Sequence, residues 1–86
     1  MSVSELNNFV RTYPNPNSSD LLTIESSSAI KEINIFNLIG QNIFSKVIEE
    51  NVLKETISID SSLNGIYFMA VQMENNERIL RKIILK

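Results

Sequence analysis

Eighty-six residues with a net charge of −2 are enough for one small domain and not two. The absence of cysteine and histidine excludes thiolate zinc sites, iron–sulfur clusters, thiol nucleophiles and Ser-His-Asp triads. The acidic balance argues against a nucleic-acid footprint, and no apolar run approaches the roughly 18 residues of a membrane helix.

In chain order, residues 1–12 read as a linker. Ser2 and Glu5 have capping-box spacing, yet a frayed tail explains the segment better than a helix. The start lacks the basic-then-apolar order of a secretory signal peptide; if the chain is the tail of a longer protein, an export signal would lie farther upstream. Both prolines of the chain fall in YPNP, Tyr13 to Pro16. Each removes a backbone donor and biases the preceding residue toward extended geometry. This predicts a stiff entry into a domain spanning 13–86, with a strand piece around Phe9 to Tyr13. Asn17 opens a glycosylation triplet that a polar loop explains equally well.

LLTIE follows, with Leu22 and Ile24 on one face, and the run Ser26 to Ser28 turns the chain. AIKEINIFN places Ile33 and Ile35 on one side and Phe36 on the other. Gly40 accepts a left-handed backbone without cost, so LIGQ predicts a hairpin whose returning strand is QNIFSKVI. In ETISID, Ile57 and Ile59 point inward and Thr56 and Ser58 outward. Asn64-Gly65 is a turn signal, and IYFMAVQM is apolar on both faces, as expected of a central strand covered on two sides. Asn75-Asn76 is expected as a two-residue loop before the last strand, RILRKIILK. About seven short strands with polar turns predict an all-β fold, a small immunoglobulin-like antiparallel β-sandwich. Without disulfides or a metal, its apolar core has to stabilise it alone.

Little in the chain suggests catalysis. Asp20 and Asp60 lie in turns beside serines, where backbone hydrogen bonding explains them, and the glutamates are scattered. With Gly40 and Gly65 the only glycines, there is no phosphate loop. Phe36, Phe44, Tyr67 and Phe68 lie within strands, where core packing outweighs a base-stacking role. Arg78, Arg81, Lys82 and Lys86 make the end of the chain basic. A cationic edge strand discourages edge pairing, and its side chains are expected to be dispensable for folding and available for recognition.

YPNP, INIFNLIGQNI, LNGIYF and a basic RKIILK, in that order, resemble the type A C-terminal sorting domain of the type IX secretion system, found on secreted proteins of Bacteroidetes-type bacteria. The resemblance covers Tyr13 to Lys86. Only Asn64 separates Leu63 from Gly65, where the family often has two residues, and this tightens the loop. The resemblance implies an immunoglobulin-type sandwich fused behind a cargo protein, with no catalysis, cofactor, small-molecule substrate or nucleic acid. It implies export through the periplasm to the cell surface or medium, recognition by the type IX outer-membrane translocon, and removal by a surface sortase-like peptidase that can couple cargo to an anionic lipopolysaccharide. Cleavage would fall before Tyr13. The implied recognition residues are Pro14, Asn15 and Pro16 at the entry, Asn37 and Gly40 at the first turn, Gly65 and Tyr67 at the second, and Lys82 and Lys86 on the last strand. Turn geometry alone would explain both glycines, and core packing with a hydrogen-bonded hydroxyl would explain Tyr67. Two copies could associate weakly through the last strand. The alternatives are an adhesion or carbohydrate-binding sandwich, which would need exposed aromatics or acidic loop tips, and a structural spacer.

Overall fold

Aliphatic residues at alternate positions put one apolar face on each short segment, and β-branched side chains favour extended backbone. The computed structural model describes residues 9–13, 20–60 and 62–85. In it these segments form β1 (Val10–Tyr13), β2 (Leu21–Ser26), β3 (Ile30–Phe36), β4 (Asn42–Val47), β5 (Lys54–Ser58), β6 (Gly65–Met73) and β7 (Arg78–Leu85). They build two antiparallel sheets, ordered β1-β2-β5 and β4-β3-β6-β7. The expected all-β, immunoglobulin-like sandwich is the observed one.

The core lies between the sheets. Leu22, Ile24 and Ile57 from the first meet Ile33, Ile35, Met69, Val71 and Ile83 from the second, all of them buried. Each such side chain contributes about 1.5–3 kcal/mol when fully removed from water. The inward faces are those the alternation predicts, including Ile57 and Ile59 on and just after β5. Where the chain changes sheets, backbone bonds tie one connection to the next. The Ser26 N–H donates to the Leu53 carbonyl at 2.8 Å, and the Ile30 N–H to the Val52 carbonyl at 2.9 Å.

A sandwich of two open sheets has two seams, and a side chain crosses each. At the β4–β5 seam, Lys46 Nζ lies 2.8 Å from the Glu55 carboxylate. At the β1–β7 seam, Arg81 Nε donates to the Val10 carbonyl at 3.1 Å. Arg81 therefore serves the fold, unlike the dispensable cation expected of the last strand. Inside, the buried Ser26 hydroxyl donates to the Met73 sulfur of the facing sheet at 3.0 Å.

β1 falls where the strand piece around Phe9 to Tyr13 is expected, and Val10 is buried in the core. Several other local expectations change. β6 is central in its sheet, but its outer face is covered only in part, with Ala70 buried and Phe68 and Gln72 half-buried. Met69, Val71 and Met73 pack inward, whereas Ile66, on the other face, remains 42% exposed. Phe36 and Phe68 pair across β3 and β6 on that outer face and do not join the core cluster, while Phe44 and Tyr67 pack against it. The β6–β7 loop spans 74–76 with Asn76 at φ 70°, a left-handed residue closing a longer turn than the two-residue loop expected.

Candidate functional site

One end of the sandwich gathers turns that are far apart in sequence. The β3–β4 turn is organised by Asn37. Its Oδ1 accepts from the Ile39 N–H at 3.1 Å and the Gln41 N–H at 2.9 Å. Its Nδ2 donates to Gln41 Oε1 at 3.1 Å. The Asn37 carbonyl accepts from the Gly40 N–H, and the Asn37 N–H donates to the Gln41 carbonyl, both at 3.0 Å. Gly40 has φ 87°, a conformation that side chains with a Cβ rarely adopt. Nothing lies within 4 Å of where its Cβ would sit, so the dihedral and not the space calls for glycine.

This rigid turn carries an unusual tip. Leu38 is 67% exposed and Ile39 86%. Polar residues normally occupy such positions, because a turn tip offers no apolar cover. Beside the tip the β5–β6 connection enters β6 through Gly65, at φ 110°. Between these turns lies an open cleft of about 370 Å³, lined by Leu38, Ile39, Ile66 and Tyr67 with the neutral amides of Asn37 and Asn64. Among the described residues, no charged side chain lines it. Along the connection, the Asp60 carboxylate accepts from the Ser62 N–H at 2.9 Å, and this bond holds its carboxyl below the usual range.

From the cleft a stripe of mixed exposure, with Ala70 buried, runs along the outer face of the β4-β3-β6-β7 sheet. Ladder partners share a face, so Ile66 lies beside Ile84, Phe68 between Phe36 and Lys82, Ala70 beside Leu80, and Gln72 beside Arg78. Leu80 is exposed, and Phe36 and Phe68 are half-buried. The Arg78 and Lys82 side chains have no ion pair or hydrogen bond among the described residues. Farther toward β4, Asn34 Oδ1 accepts from Ser45 Oγ at 2.7 Å and Asn42 Nδ2 at 3.1 Å, which makes that side polar.

Of the residues anticipated for recognition, Asn37, Gly40, Gly65 and Tyr67 come together at this one end. Lys82 lies on the adjoining stripe. Pro14, Asn15, Pro16 and Lys86 lie outside the described residues, as do the Asn17 triplet and the Ser2–Glu5 pair. Tyr67 packs against the core as expected, but its hydroxyl has no hydrogen bond to a described residue. Sequence reading missed Leu38, Ile39 and Ile66. The signal was present in NLIG, where aliphatic side chains occupy the middle of a turn.

A solved structure with the same fold is CopC from Methylosinus trichosporium OB3b, 14% identical, with a TM-score of 0.58 over 91% of this chain and 90% of that one. Comparison with curated proteins finds no match. The family model described as "Secretion system C-terminal sorting domain" matches residues 11–86, which takes in all of β2 through β7 and most of β1. That span carries the turn motifs and the packed core together, and the chain belongs to the family of type IX secretion system C-terminal sorting domains.

Proposed function

We propose that this domain is a non-catalytic address that delivers an attached cargo protein to the type IX outer-membrane translocon. The observation that carries the reading is the family match over residues 11–86. Cargo joins on the N-terminal side, ahead of β1, and a surface sortase-like peptidase removes the domain by cutting upstream of that strand. The protein passes through the periplasm to the cell surface or medium. Recognition involves the end shaped by Asn37, Gly40, Gly65 and Tyr67 together with Lys82, and it extends to Pro14, Asn15, Pro16 and Lys86. β7 is an edge strand of its sheet, so two copies could pair weakly through it. The aliphatic tip at Leu38 and Ile39 suits this reading better than a glycan-binding module, which uses aromatic platforms.

A reporter with its own inner-membrane signal, fused ahead of the full chain in a host with a type IX system, is expected outside the cell. The reporter without the domain is expected in the periplasm. Deleting β7 abolishes export, but it also removes Ile83 and Leu85 from the core, so the deletion is read beside a folding assay. An intact, folded fusion that stays in the periplasm overturns the proposal.

A further inference from the structure

We infer that the Leu38–Ile39 tip is the anchor that seats the domain on a protein partner, one offering an uncharged apolar pocket with carboxylates to one side of it. The inference rests on the sorting reading and names the surface that serves it. The fold gains little from these side chains, since Leu38 is 67% and Ile39 86% exposed. Yet the turn beneath them is held in one shape by the Asn37 amide and the left-handed Gly40. An apolar anchor on a preorganised turn loses little conformational freedom on binding, which is what a buried contact at the centre of an interface requires.

The surroundings define the partner. Beside the tip the described residues that line the cleft are Ile66, Tyr67 and neutral amides, and an uncharged apolar contact on the partner matches them. Moving up the face, Lys82, which has no ion pair among the described residues, stands next to Phe68, and Arg78 lies beyond Leu80. Carboxylates on the partner's rim would meet these cations, which sets register and approach more than strength. A second copy would offer the tip only this open cleft. A partner with a deeper pocket encloses Ile39 more completely than this shallow cleft could.

The test uses the reporter fusion and the purified chain side by side. Ile39→Asn is expected to lower the exported fraction about tenfold or more while the melting temperature of the chain stays unchanged. Leu38→Asn should do the same, and Ile39→Leu should keep export. Lys82→Glu should give a smaller, salt-sensitive loss. Export of Ile39→Asn and Leu38→Asn at the wild-type level overturns the inference and leaves the sorting reading standing. If the wild-type fusion itself stays in the periplasm, both fall. Concentration-dependent dimers in sedimentation that Ile39→Asn dissolves would assign the surface to a second copy and overturn the heterologous partner.

Discussion

The β3–β4 and β6–β7 hairpins turn on the same backbone scheme and carry opposite chemistry. In the first, the Asn37 N–H reaches the Gln41 carbonyl and the Gly40 N–H the Asn37 carbonyl, both at 3.0 Å. In the second, the Met73 N–H reaches the Glu77 carbonyl at 2.8 Å and the Asn76 N–H the Met73 carbonyl at 3.0 Å. Each loop ends in a left-handed residue, Gly40 or Asn76. The β6–β7 tip, however, is acidic and amidic and is tied to the rest of the fold. Its Glu74 N–H donates to the Ala29 carbonyl at 2.9 Å, and Asn75 Nδ2 to Ser28 Oγ at 3.3 Å. The β3–β4 tip presents Leu38 and Ile39 to solvent. Since one turn geometry accepts both tips, the geometry does not demand aliphatic side chains. Their presence at one end has to be explained outside the fold.

The largest contrast expected is between core and tip on the same hairpin. Ile33 is fully buried, and Ile33→Ala should destabilise the chain by about 2–5 kcal/mol through lost burial and a cavity. Ile39→Asn, at a solvated site, should stay within about 0.5 kcal/mol. Urea unfolding of both variants measures the difference. A tip variant as damaging as the core variant would mean that the aliphatic tip serves folding, and the contrast between the hairpins would collapse.

Next in size is the exchange of left-handed residues. Gly40→Ala forces a Cβ into φ 87° and should cost about 1–2 kcal/mol, even though nothing crowds the site. Asn76→Gly relaxes the same strain in the other turn and should change stability by less than about 0.5 kcal/mol. Equal effects would show that the turns are held by different means. Asn37→Ala sharpens this further. It removes the acceptor for the Ile39 and Gln41 amides and should cost about 1 kcal/mol, with faster hydrogen exchange confined to those amides. Exchange at an unchanged rate would remove the claim that the tip is preorganised.

How much of this was visible beforehand follows from which forces act locally. Leu22, Ile24, Ile33, Ile35 and Ile57 declare their faces by alternation, because a strand's side-chain period is fixed by its own backbone. Gly40 and Gly65 likewise announce dihedrals that other residues resist. The outer-face pairing of Phe36 with Phe68 was hidden, since it depends on which strand lies beside β3 and on what covers the sheet, and neither is a property of a segment. Arg81 reads as one more basic residue until the sandwich brings the Val10 carbonyl to it. The cleft had the same difficulty, as its walls at Asn37 and Tyr67 meet only through the β3–β6 ladder. The length of the β6–β7 loop was misread because two asparagines suggest a two-residue turn, whereas only Asn76 adopts the left-handed state.

The smallest effect expected concerns the loop that leads into the apolar end. Asp60 is a carboxylate on that connection, and the Ser62 N–H donates to it at 2.9 Å, with the Ser62 hydroxyl assisting. Both contacts favour the ionised form, so its folded pKa lies below the ordinary value of 3.8. A depressed folded pKa contributes stability that is complete above the unfolded value and is lost as pH falls through the folded one. The wild type should therefore lose a small increment of stability below about pH 3.8 that Asp60→Asn does not lose. Full exposure to solvent keeps the increment small, and urea midpoints measured across the acid limb compare the two proteins. Superimposable limbs would show that the amide bond does not hold the carboxylate. The β5–β6 loop would then be shaped by Gly65 and the backbone bond from the Leu63 N–H to the Asp60 carbonyl at 3.0 Å, and the apolar end would owe nothing to the Asp60 charge.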